Sequence, residues 1–475
     1  MASNQRVEPE DFQAFPPLSP VSQIINSPIL SLSIIAVLEL EDPFDKSQTV
    51  ELLRDVLVPT NHRFSSIIVT DKKGLQRWKK VELKIEEHIV IPTFPSGLSV
   101  EDSDVHFNNY LSEIAMVPFP GTRPPWELHL IMYPTKNGSG SIVFKLNHAL
   151  GDGYAFLGTI MSCLKRADDP SKPISLPLSS GRVAGQMSKW SRMTKVVYRC
   201  FNTASDFTRG MLQGLVLEDG KTVIRSAMPR VESIPIAISS VSFSVDQIRS
   251  IKAKVGATVN DVIMGMLYYA IQLYTQKMGG ISSDTRVTAL CVQNMRKFKG
   301  DESIEDIAKG RVWGNQFGLS ILPLPTITGD IANVDPLKFI GIAKEQSNRS
   351  KNSAAVFLSS KMINIMSPKA ATQFIHSTLK NTSFVVSNVP GPTQKVVLLG
   401  HALNSWYFSV IGTPQSLFFT VMSYNGVLRL VARTEKGFID NELLLSFIKE
   451  AFEKIFAATF AATHGKKDAM LEDSL

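Results

Sequence analysis

The stretch Phe144-Lys-Leu-Asn-His-Ala-Leu-Gly-Asp-Gly153 decides how the rest of the chain is read. An apolar, strand-like segment runs straight into a His148-x-x-x-Asp152-Gly153 turn, and a helix-like segment follows at once. Asp152 stands where a helix N-cap belongs, and Gly151 and Gly153 let the backbone approach a ligand closely. A histidine at the end of a buried strand is held rigidly and can still face a cavity. Its neutral imidazole, with an unperturbed pKa of about 6.5, suits removing a proton from a bound hydroxyl. The plainer alternative is a histidine and an aspartate that cap a strand–helix junction and do no chemistry. Average composition gives about 0.03 chance occurrences of this spacing in a chain of this length, so context must decide.

Working outward, Trp126–Tyr133 and Ser141–Asn147 read as two strands joined by the turn Lys136-Asn-Gly-Ser-Gly140, and the second delivers His148. Gly153–Lys165 continues as a helix, closed by Asp168-Asp-Pro170. Upstream, a short polar start leads to a proline-stiffened entry at Phe15–Pro20. Ile29–Leu40 reads as a strand and Ser47–Val58 as a helix. Ser65–Thr70 and Leu75–Val81 read as strands around the turn Asp71–Gly74. Downstream, Ser171–Gly185 is rich in Pro, Ser and Gly and reads as a surface linker. Gln186–Leu217 is a long helical pattern with Trp190, Met193, Val197, Cys200, Ala204, Phe207 and Met211 on one face. Lys189, Arg192, Lys195 and Arg199 lie opposite or beside them. Such a helix either packs its apolar side on the protein or lies on a membrane surface.

A second α/β half opens at Ser239–Val245. Val259–Tyr274 is almost wholly apolar and therefore reads as a buried helix, capped by Thr258 or Asn260. Asn260-Asp261 at its start is either only a cap or places an amide that can donate to an oxyanion. Val287–Val292 and Ser383–Val389 read as short buried strands. Ser405–Ile411, Leu417–Tyr424 and Val427–Arg433 read as successive antiparallel strands, and Asn441–Ala458 as a closing amphipathic helix. The expected division is an N-terminal domain over 1–185, a crossover linker and amphipathic helix over 186–238, and a C-terminal domain over 239–475, two similar α/β layers facing each other.

Composition narrows the function classes. With 475 residues, 44% hydrophobic and 20% charged, the chain reads as globular and too long for one ordinary core. A net charge of +7 is compatible with anionic lipid or a phosphate-bearing ligand, but lacks the concentrated basic stripe of a nucleic-acid binder. Cys163, Cys200 and Cys291 are too few and too scattered for a disulfide framework or a zinc cluster. The N-terminus has no signal-peptide core, and neither Pro16–Leu38 nor Val396–Leu428 is a clean spanning segment. No metal spacing, phosphate loop or dinucleotide fingerprint occurs, and no serine or cysteine elbow supports a covalent acyl-enzyme. His129, His376 and His401 read as structural.

These motifs, taken in order, resemble the plant branch of the wax ester synthase/diacylglycerol acyltransferase family over nearly the full chain. They are Pro17-Leu-Ser-Pro20, Pro125-Trp-Glu127, Asn147-His-Ala-Leu-Gly-Asp-Gly153 and Thr258-Val-Asn-Asp-Val262. Asn294-Met-Arg296, Trp313-Gly-Asn-Gln-Phe-Gly318 with Leu322-Pro-Leu324, Ser387-Asn-Val-Pro-Gly-Pro392 and Gly400-His401 follow. The resemblance implies the two-domain α/β fold of the CoA-dependent acyltransferases (chloramphenicol acetyltransferase-like), with an interdomain tunnel. Acyl-CoA would serve as co-substrate without any further cofactor or metal, and a long-chain alcohol or diacylglycerol as acceptor, giving wax esters and triacylglycerol. The implied setting is a membrane surface, the cytosolic face of the endoplasmic reticulum and also the plasma membrane. By resemblance His148 is the base, Asp152 holds the loop, Gly153 leaves room and Asn260 steadies the thioester oxyanion. One departure stands out: Asn147 occupies the place of the family's first histidine. If that position only shapes the turn, asparagine serves, since it also donates and accepts hydrogen bonds. If it tunes the base, the chain is a weak or inactive member that binds lipid. A third reading, the same fold acting on a small soluble acceptor, is disfavoured because the Asp-Phe-Gly-Trp-Gly motif of the plant BAHD acyltransferases is missing.

Overall fold

A computed structural model describes residues 15–176, 189–280, 285–296, 313–327 and 329–472. In chain order the strands of its two large sheets are β1 (Ser33–Leu40), β2 (Ile89–Val90), β3 (Trp126–Ile131), β4 (Gly140–Asn147), β5 (Leu164–Arg166), β6 (Ile236–Ser244) and β7 (Thr288–Asn294). They continue as β8 (Phe317–Pro323), β9 (Phe384–Pro390), β10 (Val396–Leu398), β11 (His401–Ile411), β12 (Leu417–Tyr424) and β13 (Val427–Glu435). One sheet has seven strands in the order β2-β3-β4-β1-β11-β10-β5, the other six in the order β6-β13-β12-β9-β7-β8. The helices used below are α1 (Val100–Met116), α2 (Gly153–Ser162), α3 (Lys189–Leu215), α4 (Val245–Val255), α5 (Val259–Lys277), α6 (Leu337–Lys351), α7 (Ala355–Ile365), α8 (Pro368–Lys380) and α9 (Asn441–Glu472).

Strand β4 is central to the first sheet because all eight of its residues are buried and it pairs antiparallel with β1 and β3. Its pleat sends Ile142, Phe144 and Leu146 into the larger core, and Val143 into a second cluster with Ile35, Val37 and Phe107. Lys145 is tolerated there because its ammonium reaches the Val117 carbonyl at 2.7 Å and the Glu127 carboxylate at 3.2 Å. Helix α5 is nearly all buried, as its apolar sequence requires, and Thr258 and Asp261 form a reciprocal capping box at its start.

The expected run of three antiparallel strands at the C-terminal end is corrected. Only β12 and β13 pair in that way. Strand β11 leaves its sequence neighbours and pairs with β1, Ile411 opposite Ser33 and Leu403 opposite Leu40. The physical reason lies in its two apolar faces. Trp406, Phe408 and Val410 enter the first core, while Tyr407 and Ile411 enter the second, and a strand buried on both sides needs an interior place in a sheet. Strand β10 follows it, bridging β11 and β5. Residues 396–411, from the C-terminal part of the chain, therefore complete the N-terminal sheet.

Helix α3 brings a second difference. Of the apolar face expected on it, Val197, Cys200 and Ala204 are exposed, while Phe207 and Met211 are half-buried; the side chains of Trp190 and Met193 lie outside the described residues, as do positions 177–185 of the expected linker. The buried face carries Asn202, Gln213 and Gly214 instead. Gln213 donates to the Asn381 carbonyl and Asn381 returns a bond to the Gln213 carbonyl, so polar groups hold this helix down.

The exit from β11 depends on a glycine. Gly412 has φ +87°, and a Cβ there would stand 2.2 Å from the Ser31 carbonyl oxygen. Substituting Gly412→Ala is expected to destabilise the protein by about 2 kcal/mol or more, read as a lower urea midpoint. An unchanged midpoint would contradict the crossing as drawn.

Candidate functional site

The His148 turn ends a strand, so its polar backbone needs new partners. The His148 amide donates to the Leu32 carbonyl at 2.8 Å, and Leu150 N–H closes back on the Asn147 carbonyl at 3.0 Å. Arg63 Nη1 donates to the Leu150 carbonyl at 2.7 Å, and further contacts come from a segment more than a hundred and fifty residues away. Trp313 Nε1 donates to the Leu150 carbonyl at 2.6 Å. The Gly314 carbonyl accepts from the Asp152 amide at 3.4 Å. Asn315 meets His148 itself, and the Gln316 amide donates to Asp152 Oδ2 at 2.8 Å. Four successive residues, 313 to 316, are thus bonded onto the turn from His148 to Asp152.

Asn315 sets the tautomer of the histidine. Its Nδ2 donates to the His148 carbonyl at 2.9 Å and to Ser22 Oγ at 3.0 Å, which uses both amide hydrogens. Its Oδ1 therefore faces His148 Nδ1 at 2.9 Å as an acceptor, and Nδ1 carries the hydrogen. The lone pair is left on Nε2, which has no hydrogen-bond partner among the described residues. His148 is buried, and burial pushes its pKa below the usual histidine value, against the opposing pull of the Asp152 charge and the Asn315 bond. The arrangement is a neutral imidazole with a fixed proton and one available acceptor nitrogen.

Asp152 caps α2, with Oδ1 accepting from the Ala155 amide at 3.2 Å. Its Oδ2 takes Arg296 Nη1 at 2.7 Å, an ion pair with both side chains buried, and Arg296 Nη2 reaches the Gly314 carbonyl at 2.7 Å. This carboxylate joins the turn, the end of β7 and the 313–316 segment. Gly153 lines the cavity described next, and a Cβ there would come 3.1 Å from Val389 Cγ2 on β9.

Asn147 points away from this chemistry. By strand alternation it lies on the opposite side from His148, where Oδ1 accepts from the Ala149 amide at 2.8 Å and Nδ2 donates to Asn26 Oδ1 at 2.9 Å. It shapes the turn and does not touch the imidazole through any bond described.

Between the sheets lies a cavity lined from both of them. Leu32, Ile34, Val385, Phe408 and Phe418 give it apolar walls, and His148, Asn294, Gln316, Ser387, Asn388 and Thr413 add polar groups. Asn260 does not line it. It is exposed at the start of α5, with Oδ1 accepting from Asn388 Nδ2 at 2.7 Å, so it reaches the cavity through Asn388. His129 is buried and bonded to the Tyr110 hydroxyl at 2.7 Å, while His376 and His401 lie elsewhere on α8 and β11. Among the described residues no cluster of histidine, cysteine and carboxylates could hold a metal.

Arg296 and Asn315 are the residues that sequence reasoning passed over. Both lay inside quoted motifs, Asn294-Met-Arg296 and Trp313–Gly318, but nothing local says that one meets Asp152 and the other His148.

Comparison with known proteins agrees with this architecture. Residues 75–263 match the family model of the wax ester synthase/diacylglycerol acyltransferase catalytic domain, and residues 313–456 match that of the WS/DGAT C-terminal domain. Wax ester synthase/diacylglycerol acyltransferase 11 of Arabidopsis thaliana is 27% identical over 93% of this chain and 95% of its own. Wax ester synthase/diacylglycerol acyltransferase 4 of the same plant is 26% identical over 86% and 83%. Among solved structures, the wax ester synthase/diacylglycerol acyltransferase of Marinobacter aquaeolei VT8 superimposes with a TM-score of 0.57 at 15% identity, covering 94% of this chain and 100% of that one. The starter condensation domain of rhizomide synthetase gives 0.57 at 10% identity, covering 94% and 95%. The fold is thus the two-domain acyltransferase fold expected from the motifs.

Replacing Arg296 by Met leaves Asp152 buried without its counter-charge. The expected loss is about 3–5 kcal/mol in urea unfolding, with part recovered in the Arg296→Met/Asp152→Asn double variant. A shift no larger than that of Arg54→Met, which breaks an exposed pair with Glu86, would refute a bridging role.

Proposed function

The chain belongs to the wax ester synthase/diacylglycerol acyltransferase family, and on that premise we propose that His148 is the general base of an acyl-CoA-dependent O-acyl transfer. The acceptors are long-chain fatty alcohols, giving wax esters, and also diacylglycerol, giving triacylglycerol. The observation that carries the reading is the Asn315-fixed tautomer, which leaves Nε2 of a neutral, buried imidazole as a proton acceptor in the cavity wall.

The steps follow from that geometry. Nε2 takes the proton of the acceptor hydroxyl as its oxygen attacks the thioester carbon. The carbonyl oxygen becomes an oxyanion, and the tetrahedral species then expels the CoA sulfur, which takes the proton back from His148. Preorganised amides are the natural stabilisers of that oxyanion. The Asn260–Asn388 pair is assigned this part: Asn388 lines the cavity and Asn260 orients its amide. Asp152 acts as a positioning residue, holding the turn through Arg296 and Gln316. The turn-shaping contacts of Asn147 support an active enzyme over a lipid binder that has lost turnover, because this asparagine leaves the imidazole's own partner, Asn315, undisturbed.

The substrates reside in membranes, and the surface offers a means of reaching them. No helix among the described residues is long and apolar enough to cross a bilayer. Helix α3 nevertheless exposes Val197, Phe201 and Leu215, and the neighbouring α7 exposes Phe357, Leu358 and Ile365, the last 84% accessible. Lys195, Arg199 and Lys361 stand among them. Apolar side chains interleaved with cations suit shallow attachment to an anionic lipid surface, with the cytosolic face of the endoplasmic reticulum as the assigned site and the plasma membrane as a second.

Two outcomes follow. With hexadecanoyl-CoA and hexadecanol, His148→Ala is expected to cut kcat about a hundredfold or more while still unfolding cooperatively. Because the folded pKa of His148 is lowered, the neutral base persists to lower pH, and the acid limb of kcat/KM is expected below the usual histidine value of about 6.5. Ester formation by the alanine variant at the wild-type rate would sink the assignment. In sedimentation with phosphatidylserine-containing vesicles, Phe201→Ser with Ile365→Ser is expected to weaken binding about tenfold or more, and equal binding would remove α3 and α7 as the contact.

A further inference from the structure

Helix α3 contains two glycines, and only one of them is explained by packing. At Gly214 a Cβ would stand 2.3 Å from the ring of Phe374, so the close approach of α8 requires glycine. At Gly210 a Cβ would meet nothing within 4 Å. Glycine inside a helix costs stability relative to any ordinary residue, and here no neighbour demands it. What Gly210 leaves is space, and the space belongs to a cavity.

That cavity lies under α3, α7 and α8 against β8. It shares the walls Ile25, Phe317, Leu319 and Ile375 with the His148 cavity, so the two are adjoining compartments. Its further lining is chiefly aliphatic and aromatic, including Val356, Ile363 and Phe374. On its other side it meets a third compartment, again lined by Gly210, where the Arg349–Asp206 ion pair at 3.0 Å and Arg209 add charge to the lining. A hydrocarbon tail extending from the reacting group near His148 gains by burial up to Gly210 and would have to desolvate charge beyond it.

We propose that this compartment holds the aliphatic tail of one of the two substrates and that Gly210 sets the length of tail it accepts. The inference rests on the acyltransferase reading above and adds the specificity element to it. No residue already placed in the catalytic machinery is involved.

The test varies tail length on both substrates. Purified wild type, Gly210→Ala, Gly210→Phe and Ser360→Phe, the last filling the same compartment from α7, are assayed with octanoyl- and hexadecanoyl-CoA against octanol and hexadecanol. Gly210→Phe and Ser360→Phe are expected to lower the long-to-short ratio of kcat/KM about tenfold or more in one of the two series, the one whose tail enters here. Gly210→Ala, small and better suited to a helix, is expected to keep the wild-type ratio. Retained turnover of the short substrates shows that each variant is folded. Wild-type ratios in both series for both phenylalanine variants would overturn the inference. No ester from the wild type with any pair would instead overturn the acyltransferase reading itself.

Discussion

A buried turn that carries the proposed catalytic histidine has to satisfy its backbone polar groups without a continuing β-ladder, and in this protein most of the solution is supplied from the other half of the chain. Residues 313–316 donate or accept at Leu150, Asp152, His148 and Asp152 again, Arg296 adds its charge on Asp152, and Arg63 donates to the Leu150 carbonyl from the N-terminal half. Unpaired groups at this depth would each cost about 1–3 kcal/mol, so the turn and the 313–316 segment form as one unit or not at all. The buried Asp152–Arg296 pair is weak as a source of stability, since desolvation of two charges consumes much of the attraction. Its value lies in uniqueness: an aspartate with these three donors has one low-energy position, and that position fixes where α2 starts and where His148 points.

The same logic explains why the halves are interleaved. Strand β11 completes the first sheet and β12 returns to the second, so the cleft between the sheets is crossed by continuous chain. A further buried ion pair, Glu39 on β1 with Arg429 on β13 at 2.6 Å, sits where the sheets approach, with the guanidinium over the Tyr407 ring. A site built between two separately folded layers would vary with their separation. Here the width is set by covalent crossings and by buried charges that tolerate little displacement.

What was legible in the sequence follows the range of the interactions. The β3–β4 hairpin, the cap at Asp152 and the apolar α5 are decided by neighbours a few residues apart, and each reads directly from its residues. Helix α1 was equally available, with Ser99 as cap and Phe107, Leu111 and Ile114 at helical spacing, and so was α8, announced by Ser367-Pro368. The partners of His148 were not available. Asn315 is a polar residue in a loop until the fold brings it to the imidazole, and β11 has two apolar faces that fit either sheet equally well. On α3 the hydrophobic pattern left the covering of its apolar face open, because periodicity reports that a face is apolar and not whether protein or lipid covers it.

Asn147 illustrates how one position changes meaning once its direction is known. Adjacent to the base in sequence, it is the obvious place for a defect. Strand alternation turns it to the far side, where its amide serves an Ala149 N–H and the Asn26 side chain. The group that does polarise the imidazole is Asn315, a neutral acceptor where many histidine bases have a carboxylate. A neutral partner raises the histidine's basicity less than a charge would, and burial lowers it further. Both effects favour the neutral imidazole. For the acyl transfer proposed above, a neutral imidazole avoids placing a further charge beside the Asp152–Arg296 pair that already lines the cavity.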